Sequence, residues 1–121
     1  MKVAIIGSRN FNDYEMLEYQ VTNILKLLNI TPSYIVSGGA NGADKLAEKY
    51  AEEHNIQLNI IYPDWKTHGK QAGYLRNIQI WQSADIGIAF WDGISRGTAH
   101  SFEIAKKLNK KLIVVQYENK G

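Results

Sequence analysis

The sequence predicts a Rossmann-like α/β fold, a three-layer α/β/α sandwich around a five-stranded, mostly parallel sheet. Short apolar runs alternate with amphipathic stretches along the chain. The runs have little polar interruption, which is typical of parallel strands that helices cover on both faces. With 121 residues, 45% of them hydrophobic, the chain is long enough to bury one core without disulfides or metals. We therefore expect a single domain over residues 1–121.

Each element follows from a local pattern. Apolar runs predict five strands, and apolar residues that repeat at helical spacing predict four helices between them. The last residues, Tyr117–Gly121, carry neither pattern, so we expect a frayed tail there. The predicted strands are Val3–Ile6, Tyr34–Val36, Leu58–Tyr62, Ile86–Phe90 and Leu112–Val115, and the helices lie around residues 14–28, 46–51, 72–81 and 102–108.

Composition excludes several classes of site. The chain has no cysteine, which excludes disulfides, cysteine nucleophiles and cysteine metal sites. His54, His68 and His100 lack the spacing of metal ligands, so we expect no metal and no cofactor. The start of the chain does not resemble a signal peptide, and no apolar run approaches the roughly 18 residues of a membrane span. These features predict a cytoplasmic protein without a membrane partner.

Charge is distributed unevenly along the chain. The formal net charge is +2, but residues 1–60 hold five Lys and Arg against seven Asp and Glu, whereas residues 61–121 hold nine against five. This bias favours an anionic ligand near the second half of the chain. It is too weak to indicate nucleic acid by itself, and no stripe of aromatic and basic residues follows. The sequence therefore argues against DNA as a partner.

Three loops follow the first, second and fourth predicted strands, and they read GSRNFND, SGGANGAD and WDGISRGT. In such sheets, ligands bind beyond the carboxyl ends of the strands, where the strand order reverses. The loops after the second and fourth strands, here called the second and fourth loops, each lead into a helix. Their backbone amides and the positive helix ends therefore predict a phosphate site there. The alternative is a pair of tight turns, capped by Asn41 or Asp44 and by a Ser or Thr.

Side chains around these loops complete the predicted site. Arg9 would contact a phosphate or a base, or else pair with Asp13 at the surface. Trp65 and Trp91 would stack on a base, with core packing as the alternative, and a solvated helix arginine is the alternative for Arg76. The spacing does not match the dinucleotide fingerprint G-x-G-x-x-G. The predicted ligand-binding residues are Gly7, Ser8, Arg9, Ser37, Gly38, Gly39, Ala40, Gly42, Asp44, Trp65, Arg76, Asn77, Trp91, Asp92, Gly93, Ser95, Gly97 and Thr98.

Four ordered motifs resemble the YspA-like branch of the SLOG superfamily: GSR-x-F-x-D-Y, VSGGANGAD-x-LAE, YPDW followed by AGYLRN, and AD-x-x-IAFWDG-x-S-x-GT. Relatives include DNA-processing protein A and the lonely-guy phosphoribohydrolases. The resemblance covers nearly the whole chain and implies a Rossmann-like domain that binds nucleotides or nucleotide-derived ligands. We therefore interpret the chain as a domain that senses or sequesters a small nucleotide-derived ligand, such as an ADP-ribose derivative or a nucleotide signal.

The resemblance leaves two further functions open. In a nucleoside-monophosphate phosphoribohydrolase, Gly97 and Thr98 match the phosphate loop, Arg76 matches a helix arginine, and Arg76 with either Asp92 or Glu103 would carry the chemistry. Glu103 lies one helical turn beyond the position that these enzymes use, so we favour a binding protein over an enzyme. The third function, single-stranded DNA binding, rests on the pattern SG-x-A-x-G-x-D shared with DNA-processing protein A. Relatives usually pair, and aromatic residues on helices favour a homodimer: Tyr14, Tyr19, Tyr74 and Trp81.

Overall fold

The structure, a computed structural model, describes residues 1–118 and contains one five-stranded sheet. Its strands are β1 (Lys2–Gly7), β2 (Tyr34–Ser37), β3 (Gln57–Ile60), β4 (Ile86–Trp91) and β5 (Lys111–Gln116). The strand order is β3-β2-β1-β4-β5, and every neighbouring pair is parallel. The predicted Rossmann-like sheet is confirmed, and it is entirely parallel rather than mostly parallel.

The described helices are α1 (Tyr14–Leu27), α2 (Ala43–Glu53), α3 (Trp65–His68), α4 (Ala72–Ser83) and α5 (Arg96–Lys107). The four longer ones confirm the predicted helices. The sequence did not predict α3, because a single turn is too short to show periodicity. β3 ends two residues before its predicted end, because its neighbour β2 ends at Ser37, the residue that pairs with Ile60. Within residues 1–118, none of the helices combines the length and the apolar character that crossing a membrane requires.

Two hydrophobic clusters, one on each face of the sheet, make the three layers. α1 and α2 pack on one face through residues such as Leu17 and Ala47. α4 and α5 pack on the other face through Ile80, Trp81 and Ala105. Trp81 is fully buried, so it does not belong to the accessible aromatic face that the sequence suggested for a homodimer. Because helices cover both faces of the sheet, a ligand approaches it at the strand ends.

Tyr117 is not part of a frayed tail, contrary to the prediction. Its amide donates to the carbonyl oxygen of Trp91 at 3.1 Å, and its hydroxyl donates to Oδ1 of Asn10. Its ring centroid lies 4.7 Å from that of Phe11. The sequence pattern missed these contacts because they join segments that are distant in the chain. The remainder of the predicted tail, residues 119–121, lies outside the described residues.

The strand order reverses between β1 and β4, and the loops that follow these two strands meet. The amide of Ser8 donates to the carbonyl oxygen of Phe90 at 2.9 Å. The amide of Asp92 donates in turn to Oγ of Ser8 at 3.3 Å, across 84 residues of sequence. This junction at the carboxyl ends of the strands is where parallel sheets place their ligands.

Candidate functional site

A cleft with two lobes opens at the junction of β1 and β4. The inner lobe has a volume of about 360 Å³ and the outer lobe of about 420 Å³. Both share Arg9, Ala40 and Arg76 in their walls, so they form one cleft. The inner lobe is completed by Ile6, Gly7, Ser8, Asn10, Asp44, Asn77, Ile80, Asp92, Ser95, Gly97, Thr98 and Ser101. The outer lobe is completed by Gly38, Gly39, Asn41, Tyr62, Pro63 and Trp65.

The first turn of α5 presents unused backbone donors to the inner lobe. Its N-cap residue, Ser95, makes no side-chain capping hydrogen bond. Among the described residues, the amides of Arg96, Gly97 and Thr98 have no acceptor. A helix N-terminus with free amides and a positive dipole end is a favourable place for an anion. The loop after β4 therefore leads into a helix start with free amides, and a phosphate site there stays a prediction.

Gly97 leaves space in front of these amides. A methyl group added at its α-carbon would meet no protein atom within 4 Å. The small side chain is therefore not required by packing within the chain, although glycine is a poor helix former. Its effect is to leave the mouth of α5 open to a ligand.

The first turn of α2 and the loop before it differ from the prediction, because the chain itself uses several of their amides. The Gly39 amide donates to Oγ of Ser37 at 3.3 Å, and the Ala40 amide donates to Oδ2 of Asp44 at 3.2 Å. The Ala43 amide donates to the carbonyl oxygen of Ser8 at 3.2 Å. This glycine-rich loop thus positions side chains and the loop after β1. It does not present a second full set of free amides.

Arg76 is the buried cation of the cleft. Its side chain comes from α4, the residue is only 8% exposed, and it lines both lobes. Nη1 donates to the carbonyl oxygen of Gly38, and Nε donates to Oδ1 of Asn77 at 3.0 Å. Nη2 has no acceptor among residues 1–118. A buried guanidinium with an unused donor is suited to bind an anion such as phosphate.

Asp44 lies beneath Gly38 on the same side of the cleft. Burial raises the pKa of Asp44 to about 6, and the hydrogen bond from Ala40 and the charge of Arg76 oppose that rise. Burial also lowers the pKa of Arg76, while the Asp44 charge acts in the opposite direction. Arginine is too strong a base to lose its proton in proteins, so the guanidinium remains charged at neutral pH.

The two carboxylates considered for hydrolysis occupy different environments. Oδ1 of Asp92 accepts hydrogen bonds from the amides of Ser95 at 2.8 Å and Ile94 at 2.9 Å. These bonds hold the pKa of Asp92 below its usual range. The carboxylate is therefore ionised at neutral pH, and its Oδ1 already accepts the two backbone hydrogen bonds. Glu103 is exposed on α5 and lines neither lobe.

The structure brings most of the predicted site residues to the cleft. Four of them line neither lobe: Ser37, Gly42, Trp91 and Gly93. The indole of Trp91 donates from Nε1 to the carbonyl oxygen of Ser95 at 3.1 Å and packs edge-on against Phe102. Trp91 therefore stabilises the loop after β4 without lining the cleft. The sequence analysis missed several lining residues, namely Ile6, Asn10, Asn41, Tyr62, Pro63, Ile80 and Ser101. Tyr62 was detectable, because it opens the YPDW motif.

Metal binding has no support from side-chain clustering in residues 1–118. No group of three or more His, Asp or Glu side chains there is arranged to hold a metal ion. Besides the carboxylates of Asp44 and Asp92, the cleft presents cationic side chains, backbone amides and hydroxyl groups. Such groups bind anions.

The family is decided by a match over the first part of the chain. The family model described as "YspA, cpYpsA-related SLOG family" matches residues 1–68. This chain belongs to that family. The resemblance drawn from the sequence motifs is therefore confirmed, and the matched region includes the loops after β1 and β2 and the residues Tyr62 and Trp65.

Two individual proteins are similar to this chain. The "Gene 61 protein" of Mycobacterium phage D29 is 42% identical over 79 residues, which cover 60% of this chain and 63% of that protein. This chain thus spans less than two thirds of that relative. A solved structure of DNA processing protein A from Helicobacter pylori, described by its single-stranded DNA binding mode, superposes with a TM-score of 0.72 at 22% identity. That match covers 99% of this chain and 67% of the other, and shows the shared fold.

The structural comparison corrects two predictions. The preferred function, binding of a small nucleotide-derived ligand such as an ADP-ribose derivative, is wrong, and so is the argument against DNA as a partner. DNA processing protein A from Helicobacter pylori, which has this fold, is described by its binding of single-stranded DNA. The sequence argument failed because it used the net charge of each half of the chain. Local charge matters more, since Arg9 and Arg76 come from different halves and line the same cleft.

Proposed function

We propose that this chain binds single-stranded DNA and that the inner lobe holds one phosphate of the DNA backbone. The observation that carries the proposal is the side chain of Arg76, which is 8% exposed and lines the lobe with an unused Nη2 donor. The free amides at the start of α5 provide neutral donors for the same anion. Arg9 is exposed and adds a second guanidinium.

The physical basis is recognition of the phosphate rather than of a base sequence. Phosphate contacts by arginine and by helix N-termini carry no sequence information. Charge-assisted hydrogen bonds of this kind are about twice as strong as neutral ones. Because the cleft lies at the open end of the β-sheet, a strand of DNA can pass across it. The fold shared with a single-stranded DNA binding protein supports this assignment.

The proposal is for binding without a chemical reaction. Hydrolysis of an N-glycosidic bond needs an acid or a charge stabiliser next to the ribose. Asp92 is ionised and accepts two backbone hydrogen bonds, and Glu103 lies outside the cleft. Incubation with nucleoside monophosphates followed by chromatography is therefore expected to return intact nucleotide. Release of free base would establish an enzyme.

A salt titration with Arg9→Gln tests the proposal. We expect wild-type protein to bind a labelled oligothymidine of about 12 nucleotides, with an affinity that falls steeply with salt. Arg9→Gln should lose about tenfold in affinity and lower the salt slope by about 0.7, the value for one phosphate contact on a single strand. Fluorescence anisotropy measures both quantities.

Lys26→Gln is the matched control for that experiment. Lys26 is exposed in the last turn of α1 and lines neither lobe. Like Arg9→Gln, the Lys26→Gln variant removes one positive charge, but at the opposite end of the β-strands. We therefore expect its DNA affinity and salt slope to stay near those of the wild type. Equal losses of affinity in the two variants would show that the effect comes from net charge and not from the cleft. Absence of binding by the wild type at low salt would reject the proposal.

Arg76→Met tests the buried cation directly. The methionine keeps an apolar chain in the space but removes the charge and its donors. We expect the affinity for the same oligonucleotide to fall by about 10- to 100-fold, the range for lost hydrogen bonds to a charged group. Circular dichroism and thermal melting check that the variant folds. A folded Arg76→Met protein with wild-type affinity would contradict the assigned phosphate site.

A further inference from the structure

The outer lobe carries two large aromatic side chains that the chain does not cover. Tyr62 is 61% exposed and Trp65 is 54% exposed, and both line this lobe. Burying such side chains is favourable by roughly 25 cal/mol for each Å² of apolar surface removed from water. Two exposed rings at the mouth of a cleft are therefore a feature that needs an explanation beyond folding.

Contacts with glycines hold these two rings in place. A β-carbon on Gly39, whose φ is +72°, would lie 2.6 Å from Cε1 of Tyr62. The tyrosine ring therefore lies directly against the glycine backbone. A β-carbon on Gly73 would lie 3.7 Å from Cη2 of Trp65, so the indole lies along the first turn of α4. Both rings are positioned by the fold while more than half of their surface stays accessible.

The turn between the two rings is fixed by a hydrogen bond. Oδ1 of Asp64 accepts from the amide of Thr67 at 3.2 Å and caps α3. This cap sets the position of Trp65, which is the first residue of that helix. The cap therefore places Trp65 in the wall of the outer lobe.

The outer lobe is continuous with the inner lobe through Arg9, Ala40 and Arg76. A strand whose phosphate binds at the start of α5 therefore passes its neighbouring nucleotide over the two arginines and into the aromatic lobe. Aromatic side chains beside a basic groove are the usual means of binding single strands, because every base has a π-face that can stack.

We propose that Tyr62 and Trp65 form a stacking site for one base of the bound strand. This inference rests on the proposed function and adds to it that the protein contacts bases as well as phosphates. Besides Tyr62 and Trp65, the polar side chains lining the outer lobe are Asn41, Arg9 and Arg76. The site is therefore expected to accept different bases with similar affinity.

An oligonucleotide without bases provides the test. Wild-type protein is measured by anisotropy against an oligothymidine of about 12 nucleotides and against an abasic strand of the same length and charge. We expect the base-bearing strand to bind about tenfold more tightly, the order of one stacking contact. Trp65→Ala should bring this ratio close to one while leaving affinity for the abasic strand unchanged. Trp65→Phe should keep most of the ratio.

Tyr62→Leu and Tyr19→Ala complete the design. Tyr62→Leu keeps apolar bulk but removes the ring, so the ratio should fall and the abasic affinity should stay. Tyr19 is 67% exposed on α1 and lines neither lobe of the cleft, so Tyr19→Ala should behave as wild type. If the wild type binds both strands equally, or if Trp65→Ala weakens both by the same factor, the stacking site is wrong although DNA binding stands. Failure to bind either strand rejects DNA binding itself.

Discussion

Asp44 is a buried carboxylate whose ionisation works against the fold. It is 6% exposed, and burial raises its pKa to about 6 from an ordinary value of 3.8. Between these two pH values the folded chain retains a proton that the unfolded chain has released. The stabilising effect of the raised pKa is therefore fully present below pH 3.8 and is lost as the pH rises through about 6.

We expect Asp44→Asn to remove this pH dependence. Asparagine keeps an oxygen that can accept from the Ala40 amide but does not ionise. The free energy of unfolding of the variant should rise relative to wild type by about 3 kcal/mol between pH 4 and pH 7, the equivalent of about two pKa units. Urea unfolding across that range measures the difference. A difference that does not change with pH would contradict the prediction.

Asp64→Asn is a control with the opposite sign. Its hydrogen bonds with Thr67 lower the pKa of Asp64, so any stabilisation by this carboxylate is present above its unfolded pKa and lost as the pH falls. The variant should therefore lose stability relative to wild type as the pH rises from acid to neutral. Asp64 is exposed, and we expect the smaller effect of the two.

At the scale of elements, α2 and α5 begin with similar glycine-containing loops but use them differently. Gly42 precedes α2 with a φ of +81°, and a β-carbon there would lie 2.5 Å from the carbonyl oxygen of Arg9. Gly97 lies in the first turn of α5 with nothing within 4 Å of that position. Gly42 is therefore required for packing, whereas Gly97 leaves the start of α5 accessible. Substitution by alanine at each position separates the two roles.

We expect Gly42→Ala to destabilise the fold by at least about 2 kcal/mol. The alanine would adopt a left-handed conformation that L-residues avoid, and its methyl group would collide with the backbone of the loop after β1. That collision would disturb the hydrogen bond from the Ala43 amide to Ser8. Chemical unfolding measures the loss. Wild-type stability in this variant would show that the junction tolerates a side chain.

We expect Gly97→Ala to leave stability equal to or slightly above that of wild type, because alanine is the better helix former. The added methyl group would stand before the free amides of α5, so affinity for oligothymidine should fall at least about tenfold, the loss of roughly one charge-assisted hydrogen bond. Thermal melting and anisotropy report the two properties separately. Unchanged affinity would remove α5 from the binding site.

At the scale of the whole molecule, the proposed binding site joins parts of the chain that only folding brings together. Ser8 and Asp92 are 84 residues apart in sequence and hydrogen-bonded in the structure, and Arg76 reaches the site from a third element. DNA should therefore bind the folded chain and not the unfolded one. Binding then stabilises the folded state by an amount that grows with the logarithm of the free DNA concentration relative to the dissociation constant.

We expect oligothymidine at 100 times its dissociation constant to stabilise the wild type by about 2.7 kcal/mol. For a domain of 121 residues, this corresponds to a rise in melting temperature of about 10 °C. Arg76→Met, whose affinity we expect to be about 10- to 100-fold lower, should rise by only roughly 2 to 6 °C at the same concentration. Differential scanning fluorimetry measures both proteins, and an equal shift in the two would place the DNA elsewhere on the molecule.

The sequence by itself determined the alternation of strands and helices, the fold class and the loops that would carry the site. These are local properties, since hydrophobic period and glycine position can be read within a few residues. Only the tertiary structure decided which backbone amides remain free at α5. It also decided that Asp44 accepts a hydrogen bond from the Ala40 amide before α2, and that Tyr62 and Trp65 extend the cleft. The physical reason is that each of these depends on which distant groups satisfy or cover a residue, and the chain order does not specify that pairing.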